Sequence, residues 1–174
     1  MGVFRNTQDV YGCIGKIFEE AIADPDIGPK TKEAGLTIRF DFEDPQSVIY
    51  VDFAQGSVFF GADVPDNEPA IRMSMKADDA NKFWLGKLNL VMAMARGQVR
   101  AKGSVPEMLK LLPLAKPLYA RYESILRGTG RNDLIEAVTL DDVRRLAREL
   151  IQADKLVFTV VGKPEGVKST QRPG

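Results

Sequence analysis

Histidine is absent from all 174 residues, and that absence removes most of the chemistry a chain of this size could perform. Without imidazole there is no Ser-His or Cys-His nucleophile pair and no histidine ligand for zinc or iron. The lone cysteine, Cys13, cannot form an internal disulfide or a cysteine-rich metal cluster. It falls among Val10, Ile14 and Ile17, where a free thiol packs as a small hydrophobe, so a buried and unreactive side chain is expected. Carboxylate chemistry survives: Asp41, Glu43 or Asp52 could move protons on an apolar substrate. Asp41 and Asp52, however, occupy outward positions of alternating segments, which suits solvated surface groups better. No catalytic residue, no metal site and no cofactor is assigned, and an enzyme is not expected.

Charge narrows the partners. Lysine plus arginine balance aspartate plus glutamate at 24 each. A nucleic-acid binder needs a basic excess for phosphate contacts, so no nucleic-acid partner is expected. The hydrophobic fraction of 44% is ordinary for a globular protein with one substantial core. Met1–Arg5 lacks the apolar stretch of a signal peptide, and Asn6 stands where a myristoylation signal wants Ser or Thr. No apolar run approaches the ~20 residues of a membrane span. Cytoplasmic location is therefore the default expectation, and the final Gln171-Arg172-Pro173-Gly174 is not a peroxisomal address.

The elements that must position any site read as follows. Val10, Ile14, Ile17, Phe18 and Ala21 recur at three- and four-residue steps, predicting a helix from Asn6 to about Asp24, stopped by Pro25. Leu36, Ile38, Phe40 and Phe42 alternate with polar residues, as do Ile49, Val51 and Phe53, giving two strands joined at Asp44-Pro45-Gln46. Ser57–Val64 and Ala70–Lys76 are the third and fourth strands. Helices follow at Asp78–Leu85 and Asn89–Arg96, and a fifth strand at Gln98–Gly103. Ser104-Val105-Pro106-Glu107 reads as a capping box. It opens a helix that Pro113 interrupts, with a second piece from about Pro117 to Arg127. Gly128-Thr129-Gly130 reads as a linker. Beyond it, Thr139 caps an amphipathic helix, Leu156–Val161 is an apolar strand, and Gly166–Gly174 is a polar tail.

One stretch resembles a known family. Ala70-Ile71-Arg72-Met73-Ser74-Met75 is followed by Asp78-Asp79, Phe83-Trp84, the turn Gly86-Lys87-Leu88-Asn89 and a short helix holding Met92 and Ala93. Gly97-Gln98-Val99-Arg100-Ala101-Lys102-Gly103 closes the series. This ordered set, with the strands before it, is similar to the sterol carrier protein 2 family across roughly residues 5–127. The resemblance implies an α+β fold: a five-stranded mixed sheet whose helices cover one face around a hydrophobic tunnel. It also implies intracellular binding of sterols, fatty acids, acyl-CoA or phospholipids. Residues 1–127 would form this domain and 128–174 a helix-strand appendage. Residues 134–163 resemble the closing helix and strand of insulinase-type metallopeptidase domains. Those enzymes need a His-x-x-Glu-His zinc motif, which a chain without histidine cannot supply.

The expected lipid contacts follow from this arrangement. Phe40, Val51, Met73 and Met75 come from the sheet. Phe83, Trp84, Leu88 and Met92 come from the central helices, and Leu111, Leu112, Leu114 and Leu118 from the proline-broken segment. Methionine suits a surface that adapts to varied ligands. Pro113 and Pro117 each remove a helical hydrogen bond, so residues 111–118 could swing as a lid. Lys87, Arg100 and Lys102 are head-group candidates at the mouth, against the simpler account of a solvated strand face. The expected partner is a lipid ligand, with transient membrane contact. The alternative is an accessory or dimerisation module that presents lipid to a partner enzyme, its tail strand extending a sheet edge in cis or across a homodimer.

Overall fold

The computed structural model describes residues 2–137. The expected first helix runs as α1 (Thr7–Val10), a π-helical segment Tyr11–Gly15 and α2 (Lys16–Ala23), each continuing the last. Asn6 caps it, its Oδ1 accepting from the Asp9 N–H at 3.0 Å. Gly15 is needed for close approach, because a Cβ there would meet the Phe60 ring at 2.4 Å. The run ends at Asp24, whose ψ turns to 130° ahead of Pro25.

A second helix, α3 (Ile27–Ala34), lies where the sequence reading places no element. Gly28 and Pro29 read as breakers, yet Pro29 sits in the first turn, where its missing N–H has no intrahelical partner to lose. One Asp24 carboxylate oxygen accepts from the N–H groups of both Asp26 and Ile27 at 2.9 Å, which caps the helix. Gly28 lets α3 fold tightly back, since a Cβ there would lie 2.3 Å from the Ile22 carbonyl oxygen.

Five strands, β1 (Thr37–Glu43), β2 (Ser47–Asp52), β3 (Ser57–Phe60), β4 (Ile71–Lys76) and β5 (Arg100–Gly103), form one mixed sheet in the order β3-β2-β1-β4-β5. β1 pairs parallel with β4, and every other pairing is antiparallel. Register puts Ile38 beside Ile71, Phe40 beside Met73 and Phe42 beside Met75. Because strand side chains alternate, these six share the face that the helices cover. Arg39, Asp41, Arg72 and Ser74 take the other face. The third strand stops at Phe60, four residues short of the expected end, where Gly61–Asp63 turns as a 3-10 helix.

The cover consists of α2 and α3 with α4 (Ala77–Trp84), α5 (Leu90–Ala95), α6 (Val105–Leu109), α7 (Leu112–Ala115), a 3-10 turn Lys116–Leu118, α8 (Tyr119–Gly128) and α9 (Asn132–Glu136). Ser104 is an N-cap without a side-chain bond, so the expected capping box does not form. Gly128–Gly130 is the corner between α8 and α9 rather than a linker, and Leu134 of α9 is fully buried. The packed unit therefore reaches Ala137, ten residues past the boundary expected at 127. The helix-strand appendage, and nearly all of the stretch resembling peptidase domains, lie outside the described residues.

Polar clamps hold most of this cover in place. The Tyr122 hydroxyl donates to Asn81 Oδ1 at 2.9 Å, and Asn81 Nδ2 donates to the Leu134 carbonyl at 3.0 Å, tying α4, α8 and α9 together. Arg121 Nη2 donates to Asp24 Oδ2 at 2.7 Å, joining α8 to the end of α2. Arg131, 3% exposed, ion-pairs with Asp9 and Asp133 and donates to the Val3 carbonyl, so it fastens the N-terminal segment to α9.

Two outcomes test these clamps. Replacing Tyr122 by Phe leaves the buried Asn81 carbonyl without its donor, and urea unfolding should show a loss of about 1–2 kcal/mol. The N–H groups of Ile27 and Asp26, together with Arg121, hold the Asp24 carboxyl below its ordinary value of 3.8. A depressed folded pKa means that the ionised form stabilises the fold fully above pH 3.8 and that this contribution fades as pH falls through the lower folded value. Asp24→Asn should therefore lower the melting temperature at neutral pH and flatten its fall in acid. An unchanged acid limb in the variant would deny Asp24 that role.

Candidate functional site

The helices do not pack flush on the sheet. A cavity of about 110 Å³ lies between them, walled by β1 and β4 below and by α2, α3, α4 and the proline-broken segment above. Phe40 and Phe42 stack with ring centroids 6.0 Å apart, and Phe18 reaches over from α2 to within 4.9 Å of Phe40. Trp84 meets Phe18 edge-on at 5.4 Å. Met73, Met75 and Met108 fill the gaps between rings with flexible thioethers.

The roof is unusual in how it is held. Residues 105–118 contain Pro106, Pro113 and Pro117, and they form two helices of 5 and 4 residues and a 3-10 turn instead of one helix. The backbone bonds Lys110 to Glu107, Leu111 to Met108 and Leu114 to Leu111 all span three residues, the tighter 3-10 spacing. Lys110 Nζ pairs with Glu107 inside the segment at 2.9 Å. Among the described residues no side-chain hydrogen bond or ion pair joins this segment to the rest of the fold. It is held by apolar contact alone.

The walls carry no ionisable side chain. Their one polar side chain besides the indole is Thr31, whose hydroxyl donates to the Gly28 carbonyl at 2.9 Å and is thereby satisfied within α3. Asp41, Glu43 and Asp52 all face away from the cavity. Asp41 accepts from Arg39 Nε at 2.9 Å, Glu43 from Arg100 at 3.1 Å, and Asp52 from the Gln55 N–H at 2.9 Å. Cys13 is buried, and burial pushes its thiol above the ordinary value, outweighing the opposing contact with Thr129. The cavity thus offers neither acid, base nor nucleophile. It offers a dry hydrocarbon surface.

Ten of the expected contact residues line it: Phe40, Met73, Met75, Phe83, Trp84, Leu88, Leu111, Leu112, Leu114 and Leu118. Two do not. Val51 is fully buried on the covered face of β2, beyond the cavity wall. Met92 is 49% exposed, because α5 buries Leu90 and Ala93 on one side and turns Met92 to the other. The three head-group cations are also displaced from the lining. Arg100 and Lys102 pair in register with Ser74 and Arg72, on the uncovered face of the sheet. Lys87 Nζ donates to the Ile135 carbonyl.

Ile14, Phe18 and Ala21 line the cavity without being expected, although their stripe was legible as a helix face. What that face meets is a tertiary fact. Ile27 and Thr31 belong to α3 and could not be assigned while that helix was unread.

A mixed sheet with one naked face and one face under clamped and broken helices, with an apolar hollow between, defines a cavity-bearing α+β domain. The chain belongs to the SCP-2 sterol transfer family, whose profile it matches over residues 15–116. Among solved structures it is similar to sterol carrier protein 2 from Yarrowia lipolytica in its apo form, at 19% identity and a TM-score of 0.50, covering 61% of this chain and 89% of that one. It is equally similar to the sterol carrier protein domain 2 of Helicoverpa armigera, at 20% identity and a TM-score of 0.50, covering 61% and 85%. No curated protein matches the chain in sequence. Among the described residues, no helix is long and apolar enough to cross a membrane.

Trp84 is the chain's single tryptophan and sits in the cavity wall, 7% exposed. Its emission should be blue-shifted and resist quenching by iodide. Ready iodide quenching would mean that the wall is open to water.

Proposed function

We propose that this chain is a lipid carrier that holds the hydrocarbon part of a fatty acid, acyl-CoA, phospholipid or sterol-like molecule beneath its helical cover. One observation carries the reading: the cavity walls hold many aromatic and aliphatic side chains and no ionisable group. Such a surface gains free energy from any apolar chain and has nothing with which to transform it.

Magnitudes favour reversible carriage. Burying a methylene is worth about 0.8 kcal/mol, so sixteen carbons gain on the order of 12 kcal/mol gross. Association and ordering take back an estimated 4–15 kcal/mol, which leaves binding in a range that permits release. The size of the cavity bears on how the ligand enters. A hollow of about 150 Å³ suffices for benzene, and 110 Å³ is smaller still. A long chain therefore needs the cover to part, and the segment without polar ties, residues 105–118, is the piece that can move. The narrow form also avoids a penalty. At about 24 cal/mol per Å³, a 110 Å³ void costs about 3 kcal/mol, whereas a permanent hollow of several hundred Å³ would cost on the order of 10 kcal/mol.

Family membership supports lipid as the ligand class and leaves the particular lipid open to experiment. Titration with a brominated fatty acid should quench Trp84 emission saturably near one equivalent. Replacing Leu112 and Leu114, both half-buried in the cavity wall, by Glu should abolish the quenching while the far-UV circular dichroism stays native. Unaltered quenching in that variant would move the site elsewhere.

A further inference from the structure

Val91 and Met92 are 50% and 49% exposed, the two large hydrophobic side chains left open to solvent among the described residues. Scattered single exposures of this kind are ordinary. These two are adjacent, and they flank the cavity. Leu90, the residue before them, is buried and lines the cavity wall, so α5 carries an apolar surface from the wall out to solvent. In the same wall, Leu111, Leu112 and Leu114 of the broken segment are only partly buried. Apolar side chains thus reach the surface from two elements that border one hollow.

Charge is arranged to match. The chain is neutral overall, but Ala80–Tyr122 holds eight lysines and arginines against one acid, Glu107. The residues before Ala80 hold fifteen acids and seven bases, so the two parts are oppositely charged. Not every cation of the basic stretch faces the cavity edge. Arg100 and Lys102 belong to the uncovered sheet face, Arg121 is engaged by Asp24, and Lys110 by Glu107. Lys87 and Arg96, which bracket α5, and Lys116, in the broken segment, are exposed beside the apolar residues.

We infer that α5 and the broken segment together form a docking surface for an anionic lipid bilayer. Val91 and Met92 enter the boundary between head groups and acyl chains, and Lys87, Arg96 and Lys116 meet the phosphates and carboxylates. Two kinds of attraction, shallow apolar insertion and a few cations, give reversible rather than permanent attachment. A lipid could then pass between bilayer and cavity beside Leu90 and Leu112 without crossing water. That passage rests on the proposed carrier function; the docking does not.

The test is co-sedimentation of the full chain with phosphatidylcholine vesicles, with and without phosphatidylserine. Binding should require phosphatidylserine and fall at high salt, because rim charges in water are screened. The double variant Val91→Glu with Met92→Glu should bind about tenfold more weakly or worse, and Arg96→Glu with Lys116→Glu should do likewise through charge alone. Both should keep saturable Trp84 quenching by brominated fatty acid in vesicle-free buffer, which shows that fold and cavity are intact. The inference is overturned if wild-type chain ignores both vesicle types, if it binds them equally, or if the Val91 and Met92 variant sediments like wild type. It is also overturned if wild-type chain is a dimer that this variant converts to monomer, since the apolar pair would then serve self-association. Vesicle binding without fatty-acid quenching would sink the carrier function and leave the docking standing.

Discussion

Three prolines in fourteen residues set the character of this fold. Pro106, Pro113 and Pro117 cannot donate backbone hydrogen bonds, so the chain above the sheet cannot form one helix long enough to press a continuous ridge into it. It forms 5- and 4-residue pieces and a 3-10 turn instead. Beneath these lie Phe40, Phe42, Met73 and Met75, side chains too bulky to interdigitate with so irregular a roof. Native cores fill such gaps because voids forfeit contacts on every side. Here the gap persists, since the element that would close it lacks the backbone to do so.

The rest of the molecule is organised to tolerate that softness. Asn81, Tyr122 and the Leu134 carbonyl form a buried, fully satisfied chain of hydrogen bonds among α4, α8 and α9. Arg121 with Asp24 and Arg131 with Asp9 and Asp133 fix α2, α8 and the N-terminal segment. Partly satisfied buried polar groups would make this frame fragile, and none is left unpaired among the described residues. A stiff frame around one apolar-held segment localises motion, which is what a reversible container needs. Rigidity sits in polar bonds and adaptability in apolar contacts.

Much of this was legible in the sequence, for reasons that differ by element. The strands announce themselves because one face is greasy and the other charged, and register follows from keeping Phe40, Met73 and Ala101 on the same side. The broken roof is visible in its prolines. α3 is invisible to the same reasoning, because Gly28 and Pro29 are breakers in isolation and become tolerable only through Asp24 and the tight contact with Ile22. The cavity lining from Phe40 to Leu118 could be read from apolar pattern and family resemblance together. Met92 could not, since a six-residue helix such as α5 has too short a pattern to reveal which side is inward. The cations failed for a simpler reason: alternation along β5 sends Arg100 and Lys102 away from Ala101, hence away from the cavity.

The central claim is that a hydrocarbon chain lies between sheet and helices, and methionine methyl resonances address it most directly. In chain labelled at its methionine methyls and mixed with a fatty acid in vesicle-free buffer, the account predicts cross-relaxation from the acyl chain to Met73, Met75 and Met108, which line the cavity, and none to the outward Met92. Contacts confined to Met92, or no contact to any methyl at saturating fatty acid, would contradict it.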